Sequence, residues 1–440
     1  MPPVQATTTP LDPKALFRLP WSLNDNVLAW LEPTKRCNLY CQGCYSRNDP
    51  KSDKTLEQIR SDLDVFTKNR QVDSISIAGG DPLVYPHICE VVRMIREEYG
   101  KKPVLNTNGL ALTPQYVRDL KKAGLWGFTF HVDSSQVRPH WKNKTEEELC
   151  VLREQLARMV ADEGGLSVAF NSTIFRHTLK DVPMLVRWAQ EHIDIVHGMV
   201  FILYRTLRTE EFDFYAQGEQ VEVESELVYK DQDENPDPLV AQEVVDLIRT
   251  EADTHYEPCA YLGGTRDPQS FKWLLAGRIA NKDEVYGYVG PRYMEMVQNV
   301  HHAVQGSYLA YTEPGMLSMG RSMMAGFSAF DGGTREAAKR YAKSALKAPL
   351  KVPPKAHFQS LVVIQPIDVM KDGEANMCDG CPDITVHEGE LVWSCRLDER
   401  QQYGCFLAAA PKNEAGLVDE AELTKKNKKQ APSPEPLPAE

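Results

Sequence analysis

Seven of the ten cysteines fall into two groups. The first is Cys37-Asn38-Leu39-Tyr40-Cys41-Gln42-Gly43-Cys44, which sets three thiols at x3 and x2 spacing. Thiolates this close on one loop can hold three corners of a cubane iron–sulfur cluster and leave the fourth iron without a protein ligand. An open coordination position is a reactive one, by the logic that separates catalytic from structural zinc. A zinc knuckle would need a fourth ligand, which no nearby His or Cys supplies, and unrelated core thiols are the remaining reading. The second group is Cys378-Asp379-Gly380-Cys381, followed by Cys395 after thirteen residues and Cys405 after nine more. Four thiolates suit zinc or a 4Fe–4S cluster equally well. Cys89, Cys150 and Cys259 stand alone and read as small buried hydrophobes.

The elements around the first group form a regular series. Short apolar runs at Val27–Pro33, Val72–Ala78, Pro103–Thr107, Gly127–Val132, Leu166–Phe170 and Val196–Leu203 read as strands. Amphipathic stretches at Thr55–Lys68, Tyr85–Tyr99, Pro114–Ala123, Glu146–Glu163 and Pro183–His192 read as the helices between them. Such alternation implies βαβ crossovers and a parallel sheet. Six strands are fewer than a closed eight-strand barrel requires, so the expected class is α/β with a partial, open (β/α)6 barrel. Chemistry in such sheets sits at the carboxyl ends of the strands, and the three-cysteine loop directly follows the first one.

Beyond Arg205 the pattern changes. Glu210–Pro238 reads as an acidic linker or lid, 239–350 as largely helical, and 357–407 as a compact cysteine-bearing unit after Pro349, Pro353 and Pro354. The resulting division is an N-terminal extension (1–24), the barrel (25–235), a helical region and candidate substrate lid (236–356), a metal-cluster module (357–410) and a tail (411–440). Five prolines, eleven charged residues and no aromatic make that tail a disordered one. Over 440 residues the net charge is −12, which argues against a nucleic-acid partner but leaves room for a local basic pocket for one anionic ligand. No stretch approaches the roughly 20 apolar residues of a membrane span, and Met1–Pro20 has no signal-peptide pattern. A cytoplasmic location, or one at a membrane surface, is expected, with reduced thiols.

The Cys-x3-Cys-x2-Cys loop after strand one resembles the signature of the radical S-adenosylmethionine (radical SAM) superfamily. The resemblance covers roughly residues 25–205. Ala78-Gly79-Gly80-Asp81-Pro82 stands where that family carries Gly-Gly-Glu-Pro. Asn106-Thr107-Asn108-Gly109, His131-Val132-Asp133, Asn171-Ser172-Thr173 and Arg205 follow at the ends of strands three to six. The resemblance implies that Cys37, Cys41 and Cys44 ligate a catalytic 4Fe–4S cluster. It further implies that Gly79, Gly80 and Asp81 hold the methionine end of S-adenosylmethionine, with Asn108, Asp133, Asn171 and Thr173 as ribose or substrate contacts. One electron from the reduced cluster would then cleave the cofactor to methionine and a 5′-deoxyadenosyl radical, which abstracts hydrogen or adds to a double bond. A flavodoxin- or ferredoxin-type donor is implied with it. Two features depart from the family: Gly43 replaces the usual aromatic before the third cysteine, and Asp81 replaces Glu.

Because the catalytic cluster needs electrons, Cys378, Cys381, Cys395 and Cys405 are preferred as ligands of a second, auxiliary 4Fe–4S cluster, resembling C-terminal extensions of other radical SAM enzymes; structural zinc stays open. For the substrate, the methionine-rich stretch 308–330 suits an apolar ligand, although core packing explains it as well, and His301-His302 reads as a satisfied surface pair. Phe130-His131-Val132-Asp133 and the glycine before the third cysteine resemble the branch that adenosylates a polycyclic isoprenoid (hopanoid) lipid. A lipid or other small apolar metabolite is therefore the expected substrate. Peptide modification, adenosyl transfer to an unsaturated lipid and a non-enzymatic iron–sulfur electron carrier are the alternatives.

Overall fold

The computed structural model describes residues 9–205, 208–223, 238–347 and 355–412. Six parallel strands pair in chain order: β1 (Leu28–Thr34), β2 (Ser74–Gly79), β3 (Lys102–Thr107), β4 (Gly127–His131), β5 (Ser167–Ile174) and β6 (Gly198–Leu203). Each agrees with its sequence expectation to within a few residues. The helices between them follow the same logic. In Leu56–Asn69, Ile59, Leu63 and Phe66 recur on one face and are buried, and Thr55 and Gln58 close a capping box at its start. Thr145 and Glu148 do the same for Glu146–Glu163, the longest of the set.

Strand periodicity separates the inner wall of the half-barrel from its outer face. On β4, Phe128 and Phe130 pack with Phe170 of β5 in the hydrophobic core. Their neighbours Thr129 and His131 face the cavity, as do Asn106 of β3 and Asn171 and Thr173 of β5. The polar residues at the strand ends are thus one continuous lining.

The sheet does not end at β6. Two strands extend it: β8 (His357–Ile364) lies parallel to β6, and β7 (Trp273–Ala280) lies antiparallel beyond β8. Region 239–347 is largely helical as expected, yet it supplies β7 together with the short strands Ala260–Leu262 and Val285–Tyr288. Trp-Leu-Leu-Ala-Gly-Arg-Ile-Ala is buried along most of its length, and its residues show no strict apolar–polar alternation to distinguish it from a buried helix. The cysteine-bearing unit is likewise rooted in the sheet, since β8 is its first element.

Two expectations are corrected. Part of the acidic stretch after Arg205 is a hairpin, Phe212–Ala216 with Glu219–Val221, and it pairs with Ala408–Pro411 near the far end of the chain. Residues 224–237, the most polar part of that stretch, and the expected disordered tail from 413 lie outside the described residues. The methionine-rich stretch does not line the cavity. Instead Ala310 N–H donates to Asp73, the residue before β2, and Lys102 at the start of β3 donates to the Tyr311 carbonyl. The Tyr311 hydroxyl lies near Ser76 and Thr129. This segment therefore closes the amino-terminal end of the barrel, opposite the cysteine loop. His301 and His302 are satisfied by the Ser307 carbonyl and by Asp25. No helix among the described residues is long and apolar enough to cross a membrane.

Candidate active site

The loop after β1 is tied down on three sides. Cys37 N–H donates to Asn48 Oδ1 at 3.0 Å, and Val137 N–H donates to the Tyr40 carbonyl at 2.9 Å, with Cys41 bridged to Gln136. The loop thereby borrows backbone partners from the segment after β4. Gly43 has φ +70°, and a Cβ added there would stand 2.5 Å from the Tyr204 ring. Tyr204 follows β6 and stacks on Phe175 at 4.6 Å. Glycine before Cys44 is what lets the Tyr204 ring approach the loop.

Gly79 and Gly80 serve the same loop. Added Cβ atoms would meet the Thr34 carbonyl at 2.2 Å and the Arg36 carbonyl at 2.2 Å. Their absence allows Gly80 N–H to donate to Thr34 O and Asp81 N–H to Arg36 O, each at 2.9 Å. The Tyr45 hydroxyl accepts from Gly79 N–H at 3.1 Å. The glycine pair consequently lines the cavity and buttresses the run into Cys37.

The remaining sequence-selected residues divide into those that reach the cavity and those that position them. Asn108, Asn171 and Thr173 line it. Asp81 does not: its buried carboxylate accepts from the Thr107 hydroxyl, Asn108 N–H and Leu83 N–H. Holding the turn after β3 aims Asn108 Nδ2 at Asn38 Oδ1 (2.7 Å) and toward Cys37 Sγ (3.8 Å). Asp133 is also behind the wall, accepting from His131 Nε2 at 2.7 Å and Thr173 N–H at 3.1 Å. Burial pushes the Asp133 carboxyl up, but His131, Ser135 and the Thr173 amide outweigh it and hold the pKa at about 2. His131, part of the quoted motif but not singled out, is the member of this pair that faces the cavity.

Both cysteine groups open onto one cavity. Cys37, Cys41 and Cys44 line one part of it and Cys378, Cys381 and Cys395 another, whereas Cys405 is not among its lining residues. Cys37, Cys41, Cys44, Cys378 and Cys381 are free thiols. Lys35 and Asp398, a buried ion pair, dock the C-terminal unit beside the first loop, and Asp398 also accepts from Arg47 N–H at 2.9 Å. The Cys381 carbonyl accepts from the buried Arg70 guanidinium at 3.3 Å. Burial raises the thiols of Cys37 and Cys41, and pushes Cys44 up to about 11. They are neutral thiols until a metal displaces their protons.

Among the described residues no three His, Cys, Asp or Glu side chains are gathered closely enough to hold a single ion. The cysteines of a cubane bind different irons and stand farther apart than ligands of one ion. The donor set, three thiols on each of two segments facing one cavity, fits iron–sulfur chemistry. Three buried polar atoms of cavity residues lack a partner: Asn106 Nδ2, Asn171 Oδ1 and an Arg205 terminal nitrogen. Orphaned groups at such a wall fit a polar ligand such as S-adenosylmethionine or its co-substrate.

A half-barrel with three thiols on its first loop defines a class before any relative is considered. The family model of the radical SAM superfamily matches residues 31–214. A 7,8-dihydro-6-hydroxymethylpterin dimethyltransferase from Methanocaldococcus jannaschii is 28% identical over 40% of this chain and 36% of its own length. An AdoMet-dependent heme synthase from Methanosarcina barkeri is 27% identical over 42% of this chain and 53% of its own. The chain spans about a third to a half of the length of these curated relatives. A crystal structure of Streptococcus suis SuiB bound to S-adenosylmethionine aligns with 43% of this chain and 43% of that one, at 17% identity and a TM-score of 0.34. Over residues 31–214 the chain is similar to the radical SAM superfamily, and both relatives carry enzyme names.

Proposed function

We propose that this chain is a radical SAM enzyme that acts on a small, largely apolar metabolite by hydrogen abstraction or carbon–carbon bond chemistry. The observation that carries the reading is the shared cavity, with the three-cysteine loop, the orphaned strand-end amides and a second set of thiols on its walls. When bound, a 4Fe–4S cluster on Cys37, Cys41 and Cys44 and S-adenosylmethionine supply a 5′-deoxyadenosyl radical from one electron. The chain's own residues bind and orient. Gly79 and Gly80 line the cavity where the methionine end would lie and let the loop pack against β2, Asn108 stands beside Cys37, and His131, Asn171 and Thr173 offer polar contacts from β4 and β5. Asp81 and Asp133 act one step back, holding Asn108 and His131 in place. Cys378, Cys381 and Cys395 would hold an auxiliary cluster, with electrons from a flavodoxin- or ferredoxin-type donor. Leu203, Ile364, Pro366 and Ile367 make the wall near β6 and β8 apolar, which would keep water from the reacting atoms of a bound substrate.

The test is anaerobic reconstitution with iron and sulfide, reduction with dithionite, and addition of S-adenosylmethionine. Near eight iron per chain and release of 5′-deoxyadenosine are expected. Methionine release without free deoxyadenosine, when substrate is present, would assign adenosyl transfer. No cleavage under any condition would leave an iron–sulfur electron carrier.

A further inference from the structure

The wall formed by the ends of β6 and β8 is apolar with one exception. Arg205, 6% exposed, lines the cavity between Tyr204 and the loop after β8. Its Nε donates to Asp368 Oδ1 at 2.6 Å and one terminal nitrogen donates to the Tyr204 carbonyl at 3.0 Å. The other terminal nitrogen is buried and has no partner.

Its carboxylate partner is shared. Asp368 Oδ2 accepts from Lys272 Nζ at 2.6 Å, and Lys272 is fully buried. Gln365 Nε2 donates to the same oxygen at 2.8 Å. One carboxylate therefore serves two buried cations. Burial pushes the Asp368 carboxyl up, but the two cations outweigh it and hold it below its ordinary range. Within the Arg205–Asp368–Lys272 group two cations share one carboxylate, and the unpartnered terminal N–H of Arg205 is costly to bury unless a ligand satisfies it. The neighbouring surface is Ile364, Pro366, Ile367, Trp273 and Met377.

We infer that Arg205 is the anchor for an anionic head group, a carboxylate or a phosphate, carried by the substrate on an apolar body, with Asp368 and Lys272 as the residues that position the guanidinium. The inference rests on the radical SAM reading only in calling the ligand a substrate; the anion subsite stands on this geometry. It narrows the apolar metabolite to an amphipathic acid, whose charged end Arg205 reads. A hydrogen-bonded charge pair of this kind gives about tenfold or more in affinity over a neutral isostere.

Octanoate, octyl phosphate and octanol serve as probes, with binding to the reconstituted protein followed by tryptophan fluorescence and calorimetry. At least one anion is expected to bind about tenfold more tightly than the alcohol. Arg205→Met should remove that preference while octanol binding persists. Arg205→Lys retains a cation for Asp368 but lacks the third nitrogen, so it should lose most of the preference even if the methionine variant fails to fold. Octanol matching both anions in the wild-type protein overturns the proposal without any variant. So does an Arg205→Met protein that keeps its anion preference. A loss of S-adenosylmethionine affinity as large as the loss for the acid would assign the guanidinium to the cofactor and overturn it too. Wild-type protein that binds the anions selectively but never cleaves S-adenosylmethionine would sink the enzymatic reading and leave the anion subsite standing.

Discussion

Replacing Gly43 by alanine perturbs the three-cysteine loop at a single atom and separates two costs. At φ +70° an L-residue with a Cβ is disfavoured by about 1–2 kcal/mol. The same Cβ would stand 2.5 and 2.7 Å from two carbons of the Tyr204 ring, which is itself stacked on Phe175. Displacing a packed ring adds about 1–3 kcal/mol. The sum, about 2–5 kcal/mol, falls on the conformation that presents Cys41 and Cys44 to the cavity. At its lower end that is roughly thirtyfold in the population of the cluster-competent loop. Iron and sulfide per chain after anaerobic reconstitution with about eight equivalents of iron should fall by about half, because only the first cluster is affected, and deoxyadenosine formation should fall with it. Tyr204→Leu in the Gly43→Ala background relieves the contact but not the backbone strain, so it should restore part of the iron and not all of it. Wild-type iron content and turnover in Gly43→Ala would refute both the contact and the role given to it.

Three further outcomes follow from the same geometry. His197, inside the sheet edge, accepts from Val168 N–H through Nδ1 at 3.0 Å, and burial, with His357 nearby, holds its pKa down at about 4. The unfolded value is near 6.5, so the folded state resists protonation and stability should decline as pH falls from about 6.5 to about 4. The total is about 3 kcal/mol, read by urea unfolding at pH 7 and pH 5; an unchanged slope in His197→Gln would rule this group out. Cys378→Ser, Cys381→Ser or Cys395→Ser should each lower iron toward four per chain, while Cys405→Ser, outside the cavity, should stay near the wild-type value; equal losses in all four would restore Cys405 as a ligand. Asp398→Ala leaves Lys35 buried without its carboxylate at a cost of about 3 kcal/mol or more. A lower midpoint of thermal unfolding and faster proteolysis near the C-terminal unit are expected, and an unshifted midpoint would show that this pair does not dock it.

Much of the barrel was legible because its signals are local. Strand and helix periods repeat within a dozen residues, and Thr55 with Gln58 or Thr145 with Glu148 mark helix starts without reference to the rest of the chain. The thiols of the first loop, the glycine pair after β2 and the polar strand ends were recognisable by type and spacing for the same reason. His131 was quoted only as part of a motif, because nothing local distinguishes a cavity-facing histidine from the carboxylate that orients it.

What the amino-acid sequence determined by itself is the inventory: which residues can hold a cluster, and that parallel strands would carry them at one edge. The tertiary structure decided their company. It brought Cys378, Cys381 and Cys395 to the cavity of Cys37, Cys41 and Cys44 across more than three hundred residues of chain. It turned Asp81 and Asp133 inward as supports, set Tyr204 over Gly43, and left Arg205 with one unused nitrogen above an apolar wall. It also moved the methionine-rich stretch to the closed end of the barrel. Each of these depends on which backbone and side-chain groups find partners when distant segments pack. Local propensity carries no information about that pairing, because a buried polar atom is satisfied or orphaned only by what folding brings beside it.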